Sequence, residues 1–441
     1  MTHIIIDGNV SKIKSILEGA PLLDDSVSYM CDGISYGDIQ DIYNLLLREK
    51  RYSELKDYNE CKFLIENAAG QMEKRKYYPL CMQIEHTSYC NARCIMCYHY
   101  YMQNQGAHHM QEHVFEKIRE WLPFVRLVGL HGFGEPFLAK NLDFYLSEYH
   151  KYGVELYTNT NLSFIPDEVE DYYDDFKFIN ISCDGATKEV FEGIRKNIRF
   201  EDFIRNVKQL RMNAPDTELI FAVVLMRQNL HQCEDMVRLA AELGINKVTF
   251  SKVGINYVIG NYEDSVDLYP ATLHTCLQRA AALGKKLGVD VVVPCSLQEL
   301  HLPVDCTCLE KEQATLRDMS FWKYNADEIV ARMKGDNNSN VQLQNPLSKK
   351  CFELTDRRIR GVCDWLTDNI YISATGRVGF CCSNFKYYIG DLIKESLDDI
   401  WNSNHYLKMI QAFQSGRLPH FCRNCNILEK RMLKRVEEIG E

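Results

Sequence analysis

The chain has 441 residues, 46% hydrophobic and 25% charged, the balance of a globular enzyme of two or three domains. With 51 Lys and Arg against 61 Asp and Glu, its formal charge is −10, which excludes a non-specific nucleic-acid binder but not a basic substrate. No basic, apolar leader opens the chain and no apolar run reaches the roughly 18–20 residues of a membrane span, so its 18 cysteines are expected to serve metal binding or catalysis in a reducing cytoplasm, not a disulfide framework.

Residues 1–80 are polar and read as mostly helical, with helical apolar spacing over 38–47. The stretch from Cys31 to Ala69 is either a small winged-helix-like recognition module or a cap on the next domain. From residue 81 short apolar runs alternate with amphipathic ones. Strands are expected at 82–86, 127–131, 154–157, 178–182, 219–225 and 247–252, and helices between them at 111–121, 141–152, 200–212 and 231–243. Six β–α repeats predict a parallel sheet. Six rather than eight predicts a partial barrel, open on one side, with functional residues at the C-terminal ends of its strands. A further helix at 271–287 and strand at 289–293 follow. Residues 295–350 read as an irregular bridge. Residues 351–441 read as a small α+β unit with a hairpin turning at Thr375-Gly376. The expected organisation is therefore 1–80, 81–294, 295–350 and 351–441.

The sharpest motif follows the first strand: Cys90, Cys94 and Cys97, spaced C-x3-C-x2-C. Three thiolates on one loop hold three irons of a 4Fe–4S cubane and leave the fourth iron open to a chelating molecule. A structural zinc site would want a fourth ligand close by, and electron-transfer clusters usually take four cysteines. The second strand ends in His131-Gly132-Phe133-Gly134-Glu135-Pro136, which offers a backbone edge and a carboxylate to an ammonium group. The fourth ends in Ser182-Cys183-Asp184-Gly185. Strand alternation puts Ser182 and Asp184 on one face and Cys183 on the other. Arg195 is placed to meet a carboxylate.

With these residues in this order, the sequence resembles the radical S-adenosylmethionine enzymes. The resemblance implies that Cys90, Cys94 and Cys97 hold a 4Fe–4S cluster whose open iron is chelated by the methionine amine and carboxylate of S-adenosylmethionine. It implies that Glu135, in Gly134-Glu135-Pro136, contacts the amine, that Ser182 and Arg195 contact the carboxylate, and that Met96 lies beside the adenine. Asp184 and Asn159 are further cofactor-site candidates. Thr158-Asn159 is followed here by Thr160, where relatives often have Gly.

Towards the C-terminus, Cys363, Cys381-Cys382 and Cys422-Arg423-Asn424-Cys425 resemble the SPASM or shorter twitch extensions of the same enzymes, which bind auxiliary 4Fe–4S clusters. Cys363, Cys381, Cys422 and Cys425 would ligate one auxiliary cluster. Cys382 is a candidate hydrogen donor to a substrate radical, against a plain packing role or a role as an alternative cluster ligand. Cys31, Cys61, Cys81, Cys233 and Cys276 are expected to be small buried hydrophobes. Together the resemblances imply an enzyme that cleaves S-adenosylmethionine to a 5′-deoxyadenosyl radical and takes hydrogen from a ribosomal peptide or natural-product precursor. An external reductant such as flavodoxin or ferredoxin would supply the electron. The alternatives are an epimerase or dehydrogenase of an aminocyclitol or carbohydrate, and a non-catalytic iron–sulfur electron carrier. No nucleic-acid or membrane partner is expected.

Overall fold

The computed structural model describes residues 2–6, 27–31, 34–36, 44, 46–69, 75, 77–97, 99, 106–254, 262–294, 306–317, 354–358, 368–381, 388–414 and 417–419. The chain opens with a sheet of β1 (Thr2–Ile6), β2 (Val27–Cys31) and β3 (Ile34–Tyr36), with β1 parallel and β3 antiparallel to β2. A purely helical reading of 1–80 therefore misses this sheet. The helical part holds for α1 (Tyr52–Ala69).

The main sheet is built from β4 (Cys81–Ile84), β6 (Leu127–Gly129), β7 (Glu155–Thr160), β8 (Phe176–Ser182), β10 (Glu218–Leu225), β11 (Lys247–Lys252) and β12 (Asp290–Val292), lying side by side in chain order and all parallel. A short ribbon strand, β5 (Arg93–Cys94), lies between β4 and β6 in sequence and β9 (Arg195–Lys196) between β8 and β10. The crossovers carry α2 (Glu112–Arg119), α3 (Leu142–Lys151), α4 (Lys188–Ile194), α5 (Phe200–Asn213), α6 (Cys233–Glu242) and α7 (Pro270–Leu287). Between β7 and β8 the crossover is a 3-10 stretch, Asp167–Asp175.

Alternation along the strands separates two faces. Leu156, Ile179, Leu219, Phe221, Val223, Val248 and Phe250 are buried with helix residues such as Leu146, Phe203, Leu210 and Met236 in one core. The other face of β7 and β8 carries Tyr157, Asn159, Phe178, Asn180 and Ser182, none of them fully buried. It is the wall of the incomplete barrel.

α1 closes the N-terminal end of the strands. Its Asp57 and Glu60 pair with Arg126 at 2.6 and 3.3 Å, just before β6. Lys56 Nζ donates to Tyr152 O at 2.7 Å, just before β7. This end is where contacts serve stability rather than chemistry.

The C-terminal segment does not stand apart from the barrel. β14 (Asn369–Ile372) adds to β4 in parallel, so β4 is not an edge, and β15 (Arg377–Gly379) and β16 (Tyr388–Asp391) continue antiparallel to give a ten-stranded sheet. Every residue of β14 is buried. The expected turn is present: Gly376 adopts φ +80°, the left-handed region that glycine enters freely. Beyond it, α9 (Leu397–Trp401) and α10 (Asn404–Gln414) pack Trp401 and Tyr406 around the Arg75 guanidinium, 3.5 and 4.1 Å from the two ring centres. In sequence, α8 (Cys306–Arg317) and β13 (Leu354–Arg358) come between the barrel and this segment, and β13 pairs antiparallel with β17 (Arg417–Pro419), which follows α10.

Candidate functional site

The three motif cysteines lie at the C-terminal end of β4, where a parallel barrel collects its reactive groups. The loop is pinned by the ribbon of β5 with β9, in which Cys94 stands opposite Arg195 and Arg93 opposite Lys196. Ile95 N donates to Ile194 O at 3.0 Å, and Cys97 N closes a turn on Cys94 O at 3.0 Å. All three thiols are free of disulfides; Cys94 is buried, Cys90 and Cys97 half-buried. Burial pushes the Cys90 thiol up to about 11 and the Cys94 thiol up to about 12, with Arg195 pulling Cys94 the other way. Left alone, both stay protonated; a metal must displace the protons to bind them. Among the described residues no three His, Cys, Asp or Glu side chains group as a single ion would need. A cubane spreads its thiolates over separate irons, so it does not need that convergence.

The end of β6 faces the triad. Glu135 N donates to Tyr89 O at 2.7 Å, immediately before Cys90. A Cβ on Gly134 would sit 2.2 Å from Thr87 O and 2.8 Å from Tyr89 O. Only glycine lets the two loops touch here. Pro136 then starts a 3-10 turn, Pro136–Leu138. The Glu135 carboxylate is buried and accepts from Thr160 Oγ1 at 2.6 Å, Phe137 N at 3.4 Å and Asn161 N at 2.7 Å. Burial outweighs these donors and pushes its carboxyl up to about 7.

The sign of that shift gives a pH dependence. A folded value of about 7, above the 4.5 of an ordinary glutamate, means that Glu135 favours the fold fully below about pH 4.5. The contribution is lost as pH rises through about 7. In the cluster-free protein, Tm is therefore expected to fall between about pH 5 and about pH 8, and to fall less in Glu135→Gln. Equal falls in the two proteins would contradict the assignment.

The end of β8 supplies the third group. Asp184 is fully buried; its Oδ1 accepts from Val224 N at 2.7 Å and its Oδ2 pairs with Arg195 Nη2 at 2.7 Å. Arg195 Nη1 lies 3.7 Å from Cys94 Sγ. Burial disfavours the guanidinium charge, but Asp184 and Cys94 more than offset it and hold Arg195 charged. Its Nε is buried without a hydrogen-bond partner. Ser182 is half-buried on the inner face, and Asn159 beside it accepts from Asn180 Nδ2 at 2.7 Å. Met96 packs half-buried against the core beneath the triad. Cys183 is fully buried on the opposite face, and Cys233 is buried as a small hydrophobe. The structure therefore brings the triad, Met96, Gly134-Glu135-Pro136, Asp184 and Arg195 together, with Asn159 and Ser182 along the adjoining wall. His131 borders that wall, stacked edge-on with Tyr157 at 5.1 Å and kept neutral by burial, which lowers it to about 4.

Two residues escaped the sequence reading. Asn161 donates its Nδ2 to Asn91 Oδ1 at 3.0 Å and toward Cys90 Sγ at 3.9 Å, and its backbone N–H holds Glu135. Glu85 ties the end of β4 to both the 131–136 loop and the C-terminal hairpin. The alternation of β4 puts Gln83 and Glu85 on one face, and a carboxylate there was the available signal. Of the C-terminal ligand candidates, Cys381 is half-buried after β15. Cys363, Cys382, Cys422 and Cys425 lie outside the described residues.

Residues 84–240 match the radical SAM superfamily model, and residues 363–426 match the SPASM iron–sulfur cluster-binding domain. The mycofactocin maturase MftC of Mycolicibacterium smegmatis is 28% identical over 187 residues, 40% of this chain and 45% of MftC, so the match spans less than half of that relative. Streptococcus suis SuiB bound to the precursor peptide SuiA superposes with a TM-score of 0.53 at 13% identity, covering 82% of this chain and 72% of SuiB. The AdoMet-bound anSMEcpe superposes with a TM-score of 0.50 at 15% identity, over 76% of this chain and 81% of the other. At such identities the two structures establish the common fold.

Proposed function

The chain belongs to the radical SAM superfamily, uses 4Fe–4S clusters and S-adenosylmethionine, and carries a SPASM domain; from that premise we propose that it is a maturase acting on a peptide or natural-product precursor. The observation that carries the reading is the meeting of three thiols outside any disulfide with a buried carboxylate and a buried guanidinium at the C-terminal ends of parallel strands. That donor set fits the cofactors: three thiol ligands, Glu135 for an ammonium and the unpartnered Arg195 Nε for a carboxylate. A cluster held by Cys90, Cys94 and Cys97 would, when reduced, supply the electron for cleavage of S-adenosylmethionine, which would in turn supply the radical that takes hydrogen from the substrate.

The protein's part is to hold, orient and shield. Cys90, Cys94 and Cys97 ligate the cluster. Glu135 keeps one side of Oε2 for the cofactor ammonium, because its other acceptor positions are filled by Thr160, Phe137 and Asn161. An ammonium there favours the ionised carboxylate. Ser182 and Arg195 serve the cofactor carboxylate, Met96 the adenine, and Asn159 and Asp184 complete the wall. Uncharged His131, Tyr157 and the Asn159–Asn180 pair line the approach and suit amide or hydroxyl groups of a substrate. Cys363, Cys381, Cys422 and Cys425 would ligate an auxiliary cluster, and Cys382, next to Cys381 in sequence, is the hydrogen-donor candidate. An external one-electron donor such as flavodoxin or ferredoxin completes the cycle. The peptide class is favoured because one matched relative is a maturase and another structure holds a precursor peptide.

The test is anaerobic reconstitution, reduction by dithionite and assay for 5′-deoxyadenosine, first alone and then with candidate substrates. Glu135→Ala is expected to weaken S-adenosylmethionine binding at least tenfold, about 1.4 kcal/mol, with the iron content kept. Reconstituted, reduced protein that leaves S-adenosylmethionine intact refutes the activity. Turnover with an aminocyclitol and none with any peptide moves the substrate to the carbohydrate class.

A further inference from the structure

Arg195 is committed to protein partners in a way that a simple ligand clamp does not require. Its Nη1 points at Cys94 Sγ from 3.7 Å, and its Nη2 pairs with Asp184 at 2.7 Å. Both charges are out of water: Arg195 is 7% exposed and Asp184 0%. The backbone enforces the contact, since Cys94 and Arg195 are register partners in the β5–β9 ribbon and Ile95 N bonds Ile194 O. Asp184 is fixed in turn by Val224 N on Oδ1 at 2.7 Å and by Asn229 Nδ2 on its carbonyl at 3.1 Å. The result is a rigid row of carboxylate, guanidinium and thiol, in that order.

A guanidinium stays charged at any working pH. Reduction adds one negative charge to an iron–sulfur cluster, and charges and hydrogen bonds at its sulfurs set its potential. A buried positive charge beside a ligand sulfur stabilises the reduced form; a negative charge one step further destabilises it, by less because it is more distant. We propose that Arg195, positioned by Asp184, tunes the reduction potential of the triad's cluster through Cys94. This rests on the reading of the triad as a cluster site and adds a role separate from contact with S-adenosylmethionine. Arg195 acts here as a positioning and charge-supplying residue, and Asp184 limits its effect.

The two residues make opposite predictions. The midpoint potential is measured without S-adenosylmethionine by an EPR-monitored redox titration of the full, reconstituted chain. The signal is assigned to the triad by its loss when Cys90, Cys94 and Cys97 are all replaced by Ala. Arg195→Gln is expected to lower the ratio of reduced to oxidised cluster at a fixed solution potential about tenfold, equivalent to about 59 mV for one electron. Asp184→Asn is expected to raise that ratio, and Arg195→Lys to restore most of the loss seen with Gln. The Asp184→Asn and Arg195→Lys variants decide the matter if Arg195→Gln takes up no cluster. Unchanged potentials in variants with full iron content overturn the proposal. If affinity for S-adenosylmethionine falls in those same variants while the potential stays put, Arg195 is a cofactor ligand only. A wild-type protein that binds no iron–sulfur cluster refutes the underlying reading instead.

Discussion

Replacing Cys90, Cys94 and Cys97 together by Ala is expected to abolish 5′-deoxyadenosine formation and to remove about half of the bound iron, from about eight to about four per chain. The loss of activity is complete because no other described group can take over. The thiols share one loop locked by the β5–β9 ribbon, and Cys183 is sealed on the opposite face of β8. The remaining iron is expected in the SPASM domain matched over residues 363–426, a separate stretch of chain. The fold should survive, since Cys90 and Cys97 are only half-buried and the loop keeps its backbone bonds to Ile194 and Glu135. The measurements are iron and sulfide content, circular dichroism and the S-adenosylmethionine cleavage assay. A triple variant that keeps all its iron, or a wild type that binds zinc instead, rules out the triad as a cluster site.

The second large effect is expected from Glu85→Ala, and it is an effect on stability. Glu85 Oε1 accepts from Phe133 N at 2.5 Å and Gly134 N at 3.3 Å, and Oε2 from Ala374 N at 3.2 Å and Tyr371 Oη at 3.4 Å. The residue is buried, and burial pushes its carboxyl up against the pull of these four donors. Removing the carboxylate leaves three backbone N–H groups without their acceptor. At about 1–3 kcal/mol for each buried donor left unsatisfied, the loss is on the order of 3 kcal/mol or more. Gly132 lies so close that a Cβ there would be 2.5 Å from Glu85 Oε1, so the carboxylate also shapes the loop that carries Glu135. Glu85→Ala should therefore lower the denaturation midpoint strongly and weaken S-adenosylmethionine binding as well. Glu85→Gln keeps one acceptor oxygen and should fall between. A denaturation midpoint within error of the wild type would mean that the 131–136 loop and the C-terminal hairpin hold themselves in place.

Local patterns were enough for much of this protein. The C-x3-C-x2-C spacing, the Gly-Glu-Pro end of β6 and the 182–185 strand end are each contained in a few residues. The alternation of period-two and period-3.6 hydrophobic runs is likewise local, so the parallel core and most strand positions could be read before any contact was known. The Thr375-Gly376 turn was legible for the same reason: glycine's freedom at positive φ is a property of one residue. Pairings across long separations were not legible. Arg195 meets Cys94 across 101 residues, and Glu85 reaches Ala374 across 289. The sequence suggested Arg195 for a carboxylate but could not say that Asp184 and Cys94 would share it, because only the β5–β9 register sets those distances. The run from Tyr371 to Phe380 read as a hairpin, and its first arm is the end of β14. That the other edge of β14 would pair with β4 and join the C-terminal unit to the barrel depends on an unfilled strand edge, which exists only once the barrel has formed. Chemistry carried by neighbours in sequence was thus determined by the amino acids themselves, whereas the charges around that chemistry were decided by which distant strands became neighbours.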